Sequence, residues 1–221
     1  MTTDTLPYEL RPGSNCRDEF RSAYENRYTW DSSFPGYQGV FVLEFDRSHV
    51  TGNFLLGSDL KAKINSTNDE KYSNEILAQL RDISIHRVRR NFEDTHANKT
   101  FEAGDTNELG TKIIVGGQNS SDFYRIKDNI ITMVHRHIHG NIITVSTQSV
   151  IKTGEGYLSQ KYSSKYKDPL TGKQLGETKY YTDTFTGFEQ IGYWVLSQRI
   201  VKSDNDSQFI KKLNFTKLKP A

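Results

Sequence analysis

The stretch IITMVHRHIHGNIITVSTQSVIKTGEGYLSQKY, residues 130–162, decides the fold. Its side chains alternate in character with a period of two, and turn residues interrupt it at Gly140-Asn141 and again at Gly154-Glu155-Gly156. Alternation is the signature of strands, and short joints of Gly and Asn force neighbouring strands to run antiparallel. The same reading extends in both directions. TKIIVGG and SDFYRIKDN precede it; YLSQKYSSKYKDPLTG, ETKYYTDTFTGFEQIG, YWVLSQRIVKSDND and SQFIKKLNFTKL follow, with turn signals at Asp128-Asn129, Asp168-Pro169 with Gly172, and Asp204-Asn205-Asp206. The C-terminal half therefore reads as a meander.

Further toward the N-terminus, GVFVLEF sets Phe41, Leu43 and Phe45 against Val40, Val42 and Glu44, and NFLLGSDLKAKI after DRSHVTG suggests a second strand pair. Two segments break the strand pattern. CRDEFRSAYENRY places Phe20, Ala23, Tyr24 and Arg27 on one helical stripe, with Asn15 as its cap and a stop before Pro35. NDEKYSNEILAQLRDISIHRVRRNFEDTH puts Tyr72, Ile76, Leu80, Ile83 and Arg87 on another, which predicts a main helix over about 70–93, capped by Asn68 or Thr67. The expected fold is α+β and mostly β: a long curled antiparallel meander, half-barrel or barrel, wrapped on that main helix with a short N-terminal helix beside it. One domain over 1–221 is expected, with 1–15 as a flexible arm.

Composition narrows function mainly by exclusion. The chain has 29 Lys and Arg against 27 Asp and Glu, a formal net charge of +2, so bulk charge gives nucleic acid no handle. The single cysteine, Cys16, excludes an internal disulfide and a thiolate cluster. The N-terminal residues lack the pattern of an export signal, and no apolar run is long enough to span a membrane, so a cytoplasmic or plastid-stroma-like compartment is expected, with peripheral membrane contact left open. No GxSxG elbow occurs, and the GGQNSS connection joins two strands instead of opening a helix, which removes a phosphate-cradling loop.

Histidine spacing is the strongest local signal. On a strand His135, His137 and His139 share a face with Met133, neighbours about 6.6 Å apart and the outer two about 13 Å apart. A zinc ion needs nitrogens at roughly 2.0–2.1 Å, so only an adjacent pair such as His135 and His137 can share one ion, and any remaining ligand must come from another segment. Zinc is thus the candidate cofactor, and otherwise the sequence names none. Two other readings compete: a solvated polar row, and a row facing a cavity where imidazoles meet the polar end of a ligand. The basic cluster His86, Arg87, Arg89 and Arg90 reads as a solvated face, except that Arg87 falls on the apolar stripe.

Four ordered motifs, AYENRYTWD (23–31), IHRVRRNFEDTH (85–96), VHRHIHG (134–140) and TGEGYLSQKYSSKYKDPLTG (153–172), resemble an uncharacterised domain-of-unknown-function family of cyanobacteria and plastid-bearing organisms. The order of elements is also similar to that of the lipoprotein-carrier half-barrels, which hold lipid chains under a helical lid. Together the residues and the resemblance lead to an expectation of a non-enzymatic carrier for an apolar small molecule, lipid or pigment, in a photosynthetic context. The expected ligand-binding residues are His135, His137, His139, Arg87, His86, Tyr24, Trp30 and Tyr157. The alternatives are a metal-dependent enzyme built on His135 and His137, and an assembly factor that binds a photosynthetic protein.

Overall fold

A computed structural model describes residues 15–46, 48–116, 121–204 and 206–221, the backbone only over 206–210. The expected arm, apart from Asn15, and most of the GGQNSS connection lie outside these residues. The protein is mostly β. Twelve strands are seen among the described residues: β1 (Gly36–Phe45), β2 (Ser48–Gly57), β3 (Ala62–Thr67), β4 (Phe101–Asn107), β5 (Gly110–Val115), β6 (Phe123–Lys127), β7 (Ile130–Ile138), β8 (Asn141–Lys152), β9 (Tyr157–Lys167), β10 (Gln174–Phe188), β11 (Tyr193–Ser203) and β12 (Asp206–Pro220). Three helices join them: α1 (Cys16–Glu25), α2 (Ser73–Arg87), entered through a single 3-10 turn at Glu70–Tyr72, and α3 (Phe92–His96). The strand order is β3-β2-β1-β12-β11-β10-β9-β8-β7-β6-β5-β4, a meander in which the N-terminal strands join beside the C-terminal one. The order is linear, so the sheet is not closed, and the barrel alternative is set aside.

The chain divides into two compact units. The first comprises residues up to Arg27 and Arg90–Thr178. Its helix α1 begins at Asn15, whose side chain accepts from the Asp18 amide at 2.9 Å, as a cap should. The buried stripe Phe20, Ala23 and Tyr24 packs into a core with Phe92, Ile113, Val115, Tyr124, Ile126 and Ile131. Arg17 and Arg21 each pair with Glu93, at 2.6 and 3.2 Å, tying α3 to α1. These pairs are half-exposed, so the apolar burial, at roughly 1.5–3 kcal/mol for each large side chain, dominates.

The second unit comprises Tyr28–Arg89 and Lys179–Ala221. Its interior is a chain of rings: Trp30 stacks on Phe34 at 4.1 Å, Tyr37 meets Phe54 edge-on at 5.4 Å, and Phe54 meets Phe215 at 5.0 Å. Ile76, Leu80 and Ile83 of α2 are buried in the same unit. Gly52 is required where β2 crosses this core, because a Cβ there would come within 2.6 Å of the Phe41 ring.

Three expectations need correction. The main helix does not run to 93: it ends at Arg87, where Val88 turns extended and forms a bridge with Trp30, whose amide donates to the Arg87 carbonyl at 2.6 Å. Asn91 then caps the separate helix α3 by accepting from the Glu93 amide. The entry to α2 is capped by Asp69, which accepts from the Lys71 amide, and not by Asn68 or Thr67. The segment DRSHVTG, expected to precede the second strand pair, already belongs to it from Ser48, where strand β2 begins.

Candidate functional site

The direction of the histidine row is set by one extra residue. Arg125 pairs with Met133, but Ile126 pairs with Ile131, so Thr132 is a bulge in β7. Its hydroxyl donates to the Arg125 carbonyl at 3.1 Å, and also to the Leu109 carbonyl. A bulge shifts the alternation by one, so Ile131 and Val134 both reach the core under α1, while Met133, His135 and His137 take the opposite face. The amide of Ile131, displaced from the ladder, donates instead to the Tyr157 hydroxyl at 3.0 Å. Strict alternation in the sequence would have put Ile131 beside the histidines.

On that face the pairing runs Ile114–Phe123–His135–Thr144–Lys165 across five strands. The His135 ring stacks on Phe123 with centroids 4.6 Å apart, and its Nδ1 shares a hydrogen bond with the Thr144 hydroxyl at 2.9 Å. Burial, and secondarily the neighbouring His137, lowers the His135 pKa from its ordinary value. The ammonium of Lys112 lies 4.4 Å from the centroid of the Phe123 ring, a cation–π distance.

His137 is held by Asp122, which accepts from both the His137 amide, at 2.8 Å, and its Nδ1, at 2.9 Å. The second carboxylate oxygen pairs with Arg136 at 3.6 Å. The Ser121 hydroxyl also approaches Nδ1, at 3.4 Å. Acid and hydroxyl thus address the same ring nitrogen, whereas a nucleophilic relay needs them on opposite nitrogens. His139 leaves the row altogether: it occupies the hairpin turn with φ of 50° ahead of Gly140 at 77°. Among the described residues no three His, Cys, Asp or Glu side chains converge as a metal site.

The other expected residues are placed as follows. Tyr24 is buried on α1, its ring 5.0 Å from His96 and under the Arg27 guanidinium at 3.8 Å. Tyr157 receives the bulge amide, as described. In the second unit Trp30 is buried and donates from Nε1 to the Trp194 carbonyl at 3.0 Å, Arg87 lies over the Phe185 ring at 5.3 Å and donates to the Tyr28 carbonyl at 3.4 Å, and exposed His86 approaches Asp82 at 3.5 Å. The expected set divides between the units, so it does not form one site within either. Only His135 and His137 share a half-exposed face.

Residues the sequence reading passed over carry much of the local chemistry. Asp122, Phe123 and Thr144 complete the histidine face; their signal was register, since Phe123 sits directly opposite His135. In the second unit Arg199 and Asp183 face each other across β11 and β10, joined by two bonds at 2.8 and 2.9 Å, and the same guanidinium reaches Asp82 at 2.7 Å and Gln79 at 3.1 Å on α2. Burial pushes the Asp82 carboxyl up, but the His86 hydrogen bond and the Arg199 charge hold it well below the usual carboxylate range.

A family model described as "Protein of unknown function (DUF3386)" matches residues 12–220. The chain belongs to that family. This DUF3386 protein is similar to several solved structures. One is a domain assigned to outer membrane lipoprotein sorting from Vibrio parahaemolyticus, at 10% identity, covering 92% of this chain and 91% of that one, with a TM-score of 0.34. Another is a LolA superfamily protein from Nitrosomonas europaea, at 9% identity over 95% and 94% of the two chains, with a TM-score of 0.31. A DUF1329 family protein from Desulfovibrio piger matches at 10% identity over 92% and 91%, with a TM-score of 0.29. No curated protein matches the chain.

Proposed function

We propose that this DUF3386 protein is a non-enzymatic binding protein for an apolar small molecule with an anionic end, a lipid or pigment of a photosynthetic host. The observation that carries the reading is the Phe123–His135 stack with Lys112 beside it, on a sheet face that the α1 and α3 core does not occupy. A flat or acyl surface set against the stack would remove more apolar area from water, at about 25 cal/mol for each Å², while Lys112 and His137 meet a negative group. Stacked rings are also rigid, so little side-chain entropy is lost when a ligand lies on them. The photosynthetic context rests on the four sequence motifs and their resemblance.

The test is a titration with cis-parinaric acid, a fluorescent fatty acid, against its methyl ester. Saturable binding of the acid is expected, with a Kd at least about tenfold weaker for Phe123→Ala, the loss of roughly half a buried ring. Lys112→Ala should weaken the acid but leave the ester unchanged. No saturable binding, or equal binding by Phe123→Ala, would sink the reading.

A further inference from the structure

The far end of the first unit's sheet presents apolar side chains to solvent in a cationic setting. Ile142 of β8 pairs with Lys167 of β9 and Ile138 pairs with Asn141, so the turn at His139-Gly140 and the turn after Lys167 emerge at the same end of β8. The second of these turns, residues 168–173, carries Leu170 at its tip, 93% exposed. Tyr166, near the end of β9 before this turn, is 43% exposed, and Ile138, beside the neighbouring turn at the same end, is 37% exposed. Single exposed apolar residues are ordinary, but three at one end of one sheet are not.

The turn that raises Leu170 is held by its own backbone. The Asp168 carboxylate accepts from the Leu170 amide at 2.9 Å, the Thr171 amide at 2.7 Å and the Thr171 hydroxyl at 3.0 Å. The Asp168 amide donates to the Lys173 carbonyl, and the Gly172 amide, at a φ of 68°, donates to the Asp168 carbonyl, both at 2.9 Å. The acidic group nearest the tip is therefore turned inward on three donors, and Lys165, Lys167 and Lys173 are the charges flanking the tip. A leucine held at a turn tip with lysines before and after it in the chain complements a surface that is apolar within and anionic at its boundary.

We propose that this end of the sheet docks on an anionic lipid bilayer, Leu170 entering between the headgroups while Lys165, Lys167 and Lys173 meet the phosphates. The docking surface shares Lys165 and Lys167 with the edge of the ligand face, whereas Leu170 and Lys173 lie in and beside the turn, so the Leu170 variants test docking separately from the binding function. It places the protein peripherally at the membrane; among the described residues no helix is long and apolar enough to cross one.

Flotation of the full chain with phosphatidylcholine vesicles, with and without phosphatidylglycerol, tests this. The wild type should float with the anionic vesicles alone and be released as salt shortens the screening length. Leu170→Asp should lower the vesicle partition constant at least about tenfold, from the lost transfer of one leucine. The triple variant Lys165→Glu, Lys167→Glu, Lys173→Glu should not float. Because Leu170 makes no core contact, both variants are checked against an unchanged unfolding midpoint, and Leu170→Trp should shift its emission to the blue only when anionic vesicles are added. A wild type that stays in solution with anionic vesicles overturns the proposal, as does a Leu170→Asp variant that floats like wild type. Dimerisation that depends on Leu170, without flotation, also overturns it in favour of a second copy of the chain.

Discussion

Arg199 and His137 are both basic side chains set against an aspartate on a sheet strand, yet they differ in completeness. Arg199, 4% exposed, has its guanidinium divided among Asp183, Asp82 and Gln79, and Asp183 itself is 2% exposed. His137 is partly exposed and directs one nitrogen to Asp122. A buried charge network is tolerated only when its hydrogen bonds are made, and breaking one partner leaves an uncompensated charge. In the His137 cluster Asp122 is buried too, but it keeps the His137 amide and Arg136 when the imidazole is removed. The difference separates a polar group that holds the fold from one positioned to meet something outside it.

The sharpest way to break the contrast is Asp183→Leu. It should destabilise the chain by about 3–5 kcal/mol in urea unfolding, with much of that loss recovered by adding Arg199→Met. A loss under about 1 kcal/mol would show that the network is not structural.

A comparable effect should follow acid. His96 lies among Phe20, Tyr24 and Phe92, stacked on the last at 5.0 Å, and burial, followed by the charge of Arg136, holds its pKa down to about 4. The unfolded chain binds this proton near 6.5, so between about 6.5 and 4 the unfolded state carries more protons than the folded one. Stability therefore falls as pH drops through that window, by at most about 3 kcal/mol, and levels off below it. His96→Phe should flatten this part of the pH profile.

Tyr157→Phe comes next. Removing the hydroxyl leaves the Ile131 amide at the bulge without its acceptor, an expected loss of about 1–3 kcal/mol. At the partly open cluster the effect should be smallest: His137→Ala should change stability by under about 1 kcal/mol while weakening the fatty-acid probe.

The meander, its hairpin joints and the stripe of α1 were legible because period-two alternation and Gly, Asn and Asp turns act locally. Three things were not. Helix α2 ends early because Trp30, far away in sequence, pairs with Val88, and no local signal opposed continuing through VRRNFED. The Thr132 bulge moves Ile131 off the histidines' face and onto the core side, and a bulge is set by the partner strand. His139 looked like a strand residue, but it supplies the positive φ that the turn needs ahead of Gly140. The pair Asp183 and Arg199 was visible as two charges in alternating strands, and only register showed that they face each other. Among the expected ligand residues the strand histidines came from spacing and Arg87 from the apolar stripe, whereas Tyr24, Trp30 and Tyr157 came from motif membership; in the structure these three aromatics pack and hydrogen-bond.

Native mass spectrometry of the full chain purified from its own host tests most directly that the histidine face holds a ligand. The wild type should carry a bound apolar small molecule, removable by organic solvent, and the His135→Ala, Phe123→Ala variant should show a bare mass with its urea midpoint little changed. A bare wild type, or the same adduct on both proteins, would contradict it.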